Sequence, residues 1–225
     1  MRPIDFRGWL AITAAAAMVA TFGAVSPIYA TDEVPVYLDS KREIPARVND
    51  LLSRMTLDEK LQQIRQARGE PAKNSESEPA CAAELRKGLG SVIWSVEDPK
   101  WRNRLQRIAV EETRLKIPLV FALDVIHGYR TVFPSSIGLS CAWEPELLEK
   151  LQAIAAREAR ASGIDMVFAP MCDVARDPRW GRVAETCGED PYLTSLYIAA
   201  AVRGLQGGQL AAETLVPSDR VAATT

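Results

Sequence analysis

The sequence predicts an α/β fold built on a parallel sheet. Short apolar runs alternate in order with longer helical patterns along the chain. The runs are continuously apolar rather than alternating, which predicts strands covered on both faces. Polar clusters follow these runs at their carboxyl ends, where parallel α/β folds collect their chemistry.

The first thirty residues read as a signal peptide rather than as part of the fold. Arg2 and Arg7 supply a basic start, an Ala-rich apolar stretch runs from Trp9 to about Val25, and Ser26–Ala30 ends it in small or helix-breaking residues. Cleavage is expected after Ala30. An uncleaved anchor is the alternative, but an apolar stretch of about 17 residues is at the lower limit for a span. Residues 31–225 are then exported, to the periplasm or beyond, with no membrane association after cleavage. Residues 31–45 form an extended leader containing Pro35 and Pro45, and 46–225 form the folded part.

Val48, Leu51, Leu52 and Met55 sit at helical spacing and predict a helix over 46–54. Thr56-Leu57-Asp58-Glu59 fits a capping box, with Thr56 as cap and Glu59 reaching back, so a second helix is expected from about Leu57 to Ala67. Gly69–Glu78 reads as a loop, and Cys81–Lys87 as a short helix stopped by Gly88. Gly90–Trp94 is the first expected strand. Asp98-Pro99 opens a helix through Leu115, with Pro at the first helical position. Ile117–Asp124 is the second strand and ends in a carboxylate. A helix over Pro145–Ala161 closed by Gly163, a third strand over Met166–Pro170, and a helix from Pro191 to Gly207-Gly208 follow. Val221–Thr225 reads as the opening of one more strand.

Composition narrows the function. With 48% hydrophobic and 25% charged residues the chain can bury a core. A net charge of −2 gives no electrostatic case for a nucleic-acid partner. Cys81, Cys141, Cys172 and Cys187 form no CxxC pair or metal-ligand spacing. Most are expected as buried free thiols, with Cys172–Cys187 the pairing to check. His127 is the single histidine, which excludes a two-histidine zinc motif and leaves one candidate for a His-based triad. Neither a dinucleotide fingerprint, a P-loop nor a G-x-S-x-G elbow occurs, and no cofactor is implied.

The candidate site rests on Asp124, Asp173 and the loop Arg176-Asp177-Pro178-Arg179-Trp180-Gly181-Arg182, running on to Glu185, Gly188, Glu189 and Asp190. Both clusters follow expected parallel strands and so fall on one edge of the sheet. Carboxylates accept from hydroxyls, guanidinium donates to them, and an indole covers apolar ring hydrogens. That set suits a carbohydrate better than a phosphate, given the acidic balance of the loop.

Asp124-Val125-Ile126-His127-Gly128, Thr131-Val132-Phe133-Pro134 and the Arg176–Arg182 loop with Glu185 and Gly188-Glu189-Asp190 resemble the N-terminal domain of family-3 glycoside hydrolases, of the exported bacterial β-glucosidase type. Thr56–Lys60 and Arg114–Pro118 fit the same pattern, so the resemblance covers about residues 45–225. It implies a (β/α)8 TIM-type barrel, of which this chain would be roughly the first half. A complete barrel typically needs about 250 residues and eight strands. The implied activity is release of terminal β-D-glucose from β-glucosides by a retaining mechanism. Asp124 would take the hydroxyls farthest from the scissile bond, Arg182 would donate to the sugar, and Glu185 would support it. His127, Arg176 and Arg179 would shape the loops, and Trp143 and Trp180 would pack.

No catalytic residue is expected in this chain, because the family's Asp nucleophile and acid/base carboxyl, like a Lys-His-Phe motif completing the sugar subsite, would lie beyond Thr225. The chain alone is expected to be inactive. Two alternatives remain. A β-N-acetylglucosaminidase of the same family is weakened by Asp124–Gly128, where that branch usually shows an acidic Gln-Glu-Gly-Gly type of segment. A non-catalytic sugar-binding or degenerate protein is the other.

Overall fold

A computed structural model describes residues 34–69, 78–95, 98–208 and 215–225. The expected signal peptide, residues 1–30, lies outside them. The leader expected to be extended holds a 3-10 turn at Val36–Leu38. It is pinned by the next helix, α1 (Ile44–Arg54), whose Asp50 accepts from the Tyr37 N–H at 3.0 Å. Pro45 stands in the first turn of α1, where a missing N–H leaves no helical bond unmade.

Helix α2 (Leu57–Gln63) starts in the expected capping box: Thr56 accepts from the Glu59 N–H, and Glu59 accepts from the Thr56 N–H at 2.9 Å. It ends short of Ala67, because the chain turns into a strand, β1 (Gln66–Arg68). The cause is tertiary. The Gly90 N–H takes the Gln62 carbonyl at 3.0 Å, and a Cβ on Gly90 would lie 2.0 Å from the Gln63 oxygen. This close approach brings the next strand against the helix end, and the residues after it enter the sheet.

Helix α3 (Ala82–Arg86) and strand β2 (Ser91–Ile93) follow as expected. Asp98 caps α4 (Pro99–Glu111), which stops before the expected Leu115. The segment after it turns at Thr113, whose hydroxyl donates to the Ala109 carbonyl, and at Lys116, whose φ is +55°. Strand β3 (Val120–Leu123) is followed by a short helix, α5 (Ser136–Ser140), that no sequence signal announced. Helix α6 (Pro145–Ala161), strand β4 (Met166–Val167), helix α7 (Pro191–Gln206) and strand β5 (Ala222–Ala223) complete the order.

The strands pair in the order β1-β2-β3-β4-β5, every pair parallel. The α/β class holds, with five strands where three and a fragment were expected. Burial alternates along β2, with Val92 buried between less buried neighbours, whereas Phe121 and Ala122 on β3 are buried in succession, as coverage of both faces requires.

Leu85, Leu89, Val92, Trp101 and Leu105 form one core under α3 and α4. Ala155, Ala156, Ala159, Ile164, Val167 and Leu205 form a second, under α6 and α7. Each fully buried Leu or Val adds about 1.5–3 kcal/mol. Small residues let α6 and α7 approach closely: a Cβ on Gly204 would lie 2.4 Å from the Glu149 carbonyl oxygen. Among the described residues, no helix is long and apolar enough to cross a membrane.

Candidate functional site

Parallel register gathers the site. Arg68, Ile93 and Ala122 stand side by side, and Ala122 pairs with Met166. The residues just after them therefore emerge on one edge: Trp94 after β2, Asp124 after β3 and Met171–Asp173 after β4.

Asp124 accepts a hydrogen bond from the Trp94 indole Nε1–H at 3.2 Å. Trp94 has a φ of +54°, in the left-handed region, which costs a bulky side chain roughly 1–3 kcal/mol. The Arg68 guanidinium carbon lies 4.3 Å from the centre of the Trp94 ring system, in cation–π range. Asp124 and Trp94 are both exposed, the indole at 41%, so this edge is open to a ligand.

The segment after Asp124 is tied to the scaffold rather than free. Val125 is fully buried, and the Ile126 carbonyl accepts from Gln152 on α6 at 2.9 Å. The His127 carbonyl accepts from the Phe133 N–H at 2.8 Å, closing a loop over Gly128. Gly128 has a φ of +114°, and a Cβ there would meet the Thr131 carbonyl at 2.1 Å. Glu158 on α6 accepts from the Thr131 hydroxyl and from the Arg130 and Thr131 N–H groups. The Thr131 hydroxyl first, then those amides, hold the Glu158 carboxyl below the ordinary carboxylate range.

The Arg176–Asp190 loop divides into an outer and an inner pair. Arg179 forms a bidentate pair with Asp177, and its side chain is 89% exposed. Arg182 forms the inner pair with Glu185, Nη2 to Oε2 at 2.6 Å and Nε to Oε1 at 3.1 Å, and its Nη2 also donates to the Met171 sulfur at 3.2 Å. A 3-10 turn at Val183–Glu185 gives this i,i+3 geometry, and fully buried Thr186 anchors it by donating to the Val183 carbonyl at 2.8 Å. The hydrogen bonds of Arg182 hold the Glu185 carboxyl below its ordinary value against the opposing effect of burial, and His127 adds to the lowering. The Arg182 guanidinium is pushed up, first by Glu185 and further by the Asp173 and Asp124 carboxylates. The electrostatic reach of Arg182 thus links both sequence clusters.

Of the residues singled out from sequence, Asp124, Asp173 and Glu185 lie within electrostatic reach of Arg182, and His127 within that of Glu185. Arg179 and Asp177 pair with each other at the rim. Trp143 and Trp180 were expected to pack, yet they are exposed at 73% and 38%, because each lies in a surface turn. The expectation of mostly buried thiols is half met. Cys81 and Cys187 are buried, Cys141 and Cys172 exposed, and all four are free, so Cys172 and Cys187 are not joined. Sequence reasoning missed Trp94, read only as a strand residue, and Arg68, which falls between the expected helix and the expected loop. An aromatic at the carboxyl end of a strand next to an acid-terminated strand was the available signal. Among the described residues, no group of three or more His, Cys, Asp or Glu side chains is placed to hold a metal ion.

The arrangement is a polar, ionised, solvent-open cluster of acceptors around one fixed guanidinium. It suits binding of a neutral polyol through donated and accepted hydrogen bonds. Glu185, held ionised by Arg182, is an acceptor and not a proton donor.

The model of the glycosyl hydrolase family 3 N-terminal domain matches residues 56–219. A periplasmic β-glucosidase of Salmonella typhimurium is 39% identical over 180 residues, covering 80% of this chain and 22% of that protein. A β-xylosidase of Formosa agariphila is 36% identical over 170 residues, covering 75% of this chain and 19% of its own. The crystal structure of a β-glucosidase from Listeria innocua in complex with glucose superposes with a TM-score of 0.67 at 37% identity, over 79% of this chain and 26% of that one. A β-glucosidase from Erythrobacter marinus gives a TM-score of 0.71 at 30% identity, over 85% of this chain and 26% of that one. The chain spans about a quarter of the length of these relatives.

Proposed function

Because this chain belongs to glycosyl hydrolase family 3, we propose that the protein acts on β-glucosides, releasing terminal glucose, and that residues 1–225 supply part of the terminal-sugar subsite. Asp124 accepts from the sugar hydroxyls farthest from the scissile bond, Arg182 donates to the sugar, and Glu185 fixes Arg182. The convergence of Asp124 and the Arg182–Glu185 pair on one sheet edge carries this reading. A retaining glycosidase needs a nucleophilic carboxylate and a proton-donating carboxyl about 5 Å apart. We assign neither role within residues 1–225. Glu185 is unsuited to proton donation, because its hydrogen bonds with Arg182 stabilise the ionised form. The name of the Salmonella relative supports export to the periplasm, as does the basic-then-apolar start of the sequence.

The test is titration of glucose into the purified chain, followed by NMR, with Asp124→Ala beside the native sequence. Saturable binding that Asp124→Ala abolishes supports the subsite. Equal binding by both proteins overturns it. Aryl β-glucoside, β-xyloside and β-N-acetylglucosaminide hydrolysis by a form that carries both catalytic carboxyls then separates the sugar classes, with fastest turnover of the glucoside expected there and none from residues 1–225 alone.

A further inference from the structure

We propose that Trp94 is the positioning residue for Asp124, and that Arg68, stacked on the indole, holds Trp94 in that role. The inference rests on the reading of Asp124 as the sugar-binding carboxylate. Three adjacent strands each end in one member of the set: Arg68 on β1, Trp94 after β2 and Asp124 after β3. The indole N–H donates to one acceptor site of Asp124 Oδ2 at 3.2 Å, which leaves the second site of that oxygen and both sites of Oδ1 to accept from a ligand. An exposed carboxylate on a strand end otherwise rotates about its side-chain bonds. A donor carried on a rigid bicyclic ring removes that freedom before the ligand arrives, and so lowers the ordering cost of binding.

The backbone supports a role for the ring beyond packing. Trp94 adopts a φ of +54° while leaving 41% of its surface exposed, so burial of the indole does not explain the strained conformation. The conformation instead aims the ring between Arg68, 4.3 Å from its centre, and Asp124. Stacking leaves the indole edge free to donate, so the two contacts do not compete.

The experiment uses the chain with its tryptophans labelled at the indole nitrogen, and Trp94→Phe assigns the Trp94 signal. Glucose is titrated into the native sequence, Trp94→Phe, Arg68→Met and Asp124→Ala. Phe keeps a ring, smaller than the indole, for Arg68 to stack on and removes the donor. We expect the Trp94 indole resonance to move on saturation, Trp94→Phe to weaken glucose about tenfold, and Arg68→Met to weaken it by a smaller factor. If the native chain binds and Asp124→Ala does not, while Trp94→Phe binds as tightly as native and the Trp94 signal stays in place, the positioning role is overturned and the subsite stands. If the native chain binds no glucose, both fall. Should Trp94→Phe lose its far-ultraviolet circular dichroism, Arg68→Met decides: native affinity with an unmoved Trp94 signal overturns the proposal.

Discussion

Arg182 and Glu185 form a bidentate ion pair across one 3-10 turn, with Nη2 and Oε2 2.6 Å apart. The pair turns a flexible cation into a fixed donor within electrostatic reach of Asp124 and Asp173. Replacing Arg182 with Ala is expected to weaken glucose binding roughly a hundredfold or more. Glu185→Gln, which keeps the shape but removes the charge, is expected to weaken it by roughly tenfold. Equal affinities across native, Arg182→Ala and Glu185→Gln would remove the pair from the site.

Glu59 carries the clearest acid sensitivity. Arg114 donates to both of its oxygens, and these bonds, with the Thr56 cap, hold its carboxyl down to about 2 from an ordinary 4.5. A depressed carboxyl stabilises the folded state above its unfolded value, and the contribution is lost as pH falls through the folded value. The stability difference between native and Glu59→Gln is therefore expected to be full above pH 4.5 and to vanish towards about 2. Urea denaturation across that range checks it, and a difference that grows on acidification would contradict the assignment.

Thr56→Ala removes the cap at the start of α2 and is expected to cost about 1 kcal/mol. Thr56→Ser, which keeps the acceptor oxygen, should recover most of it. The comparison is read from denaturation midpoints.

Tyr197 is 1% exposed, and its hydroxyl accepts from the Glu144 N–H at 2.9 Å while lying 3.3 Å from the Leu139 carbonyl oxygen. Tyr197→Phe leaves the Glu144 N–H without that acceptor and is expected to cost about 1 kcal/mol. Gly204→Ala forces a methyl against the Glu149 carbonyl and is expected to cost about 1–3 kcal/mol. Thermal denaturation of both variants measures the seam between α6 and α7.

The thiols divide by exposure. Cys141 and Cys172 are exposed, while burial pushes the Cys187 thiol up to about 11, raises Cys81 as well, and also raises the Cys172 thiol. An aromatic disulfide reagent is expected to label Cys141 first and Cys172 more slowly in the folded chain, and all four thiols after denaturation. Only two reactive thiols in the denatured, unreduced chain would show that a disulfide forms.

The chemistry legible from sequence was local or repeated. The Thr56–Glu59 capping box, Asp98 and Asp190 before Pro99 and Pro191, and Gly207 with a φ of +87° act within one helical turn. Such groups satisfy helix-end amides or a left-handed turn whatever the rest of the chain does. The apolar runs at β2, β3 and β4 were likewise visible, because burial selects their composition. With Asp124 after one run and the Arg182–Glu185 loop after another, a parallel sheet was enough to place both at one edge.

What tertiary structure alone decided was which polar residues joined that sheet and how they met. Gln66–Arg68 carries no strand signal, and becomes β1 through backbone pairing with Ser91–Ile93. Trp94 and Asp124 are 30 positions apart, and only the parallel register that sets β2 beside β3 lets the indole reach the carboxylate. Side-chain periodicity reports burial, whereas hydrogen bonds between neighbouring strand ends depend on register, which sequences of three or four residues do not specify by themselves.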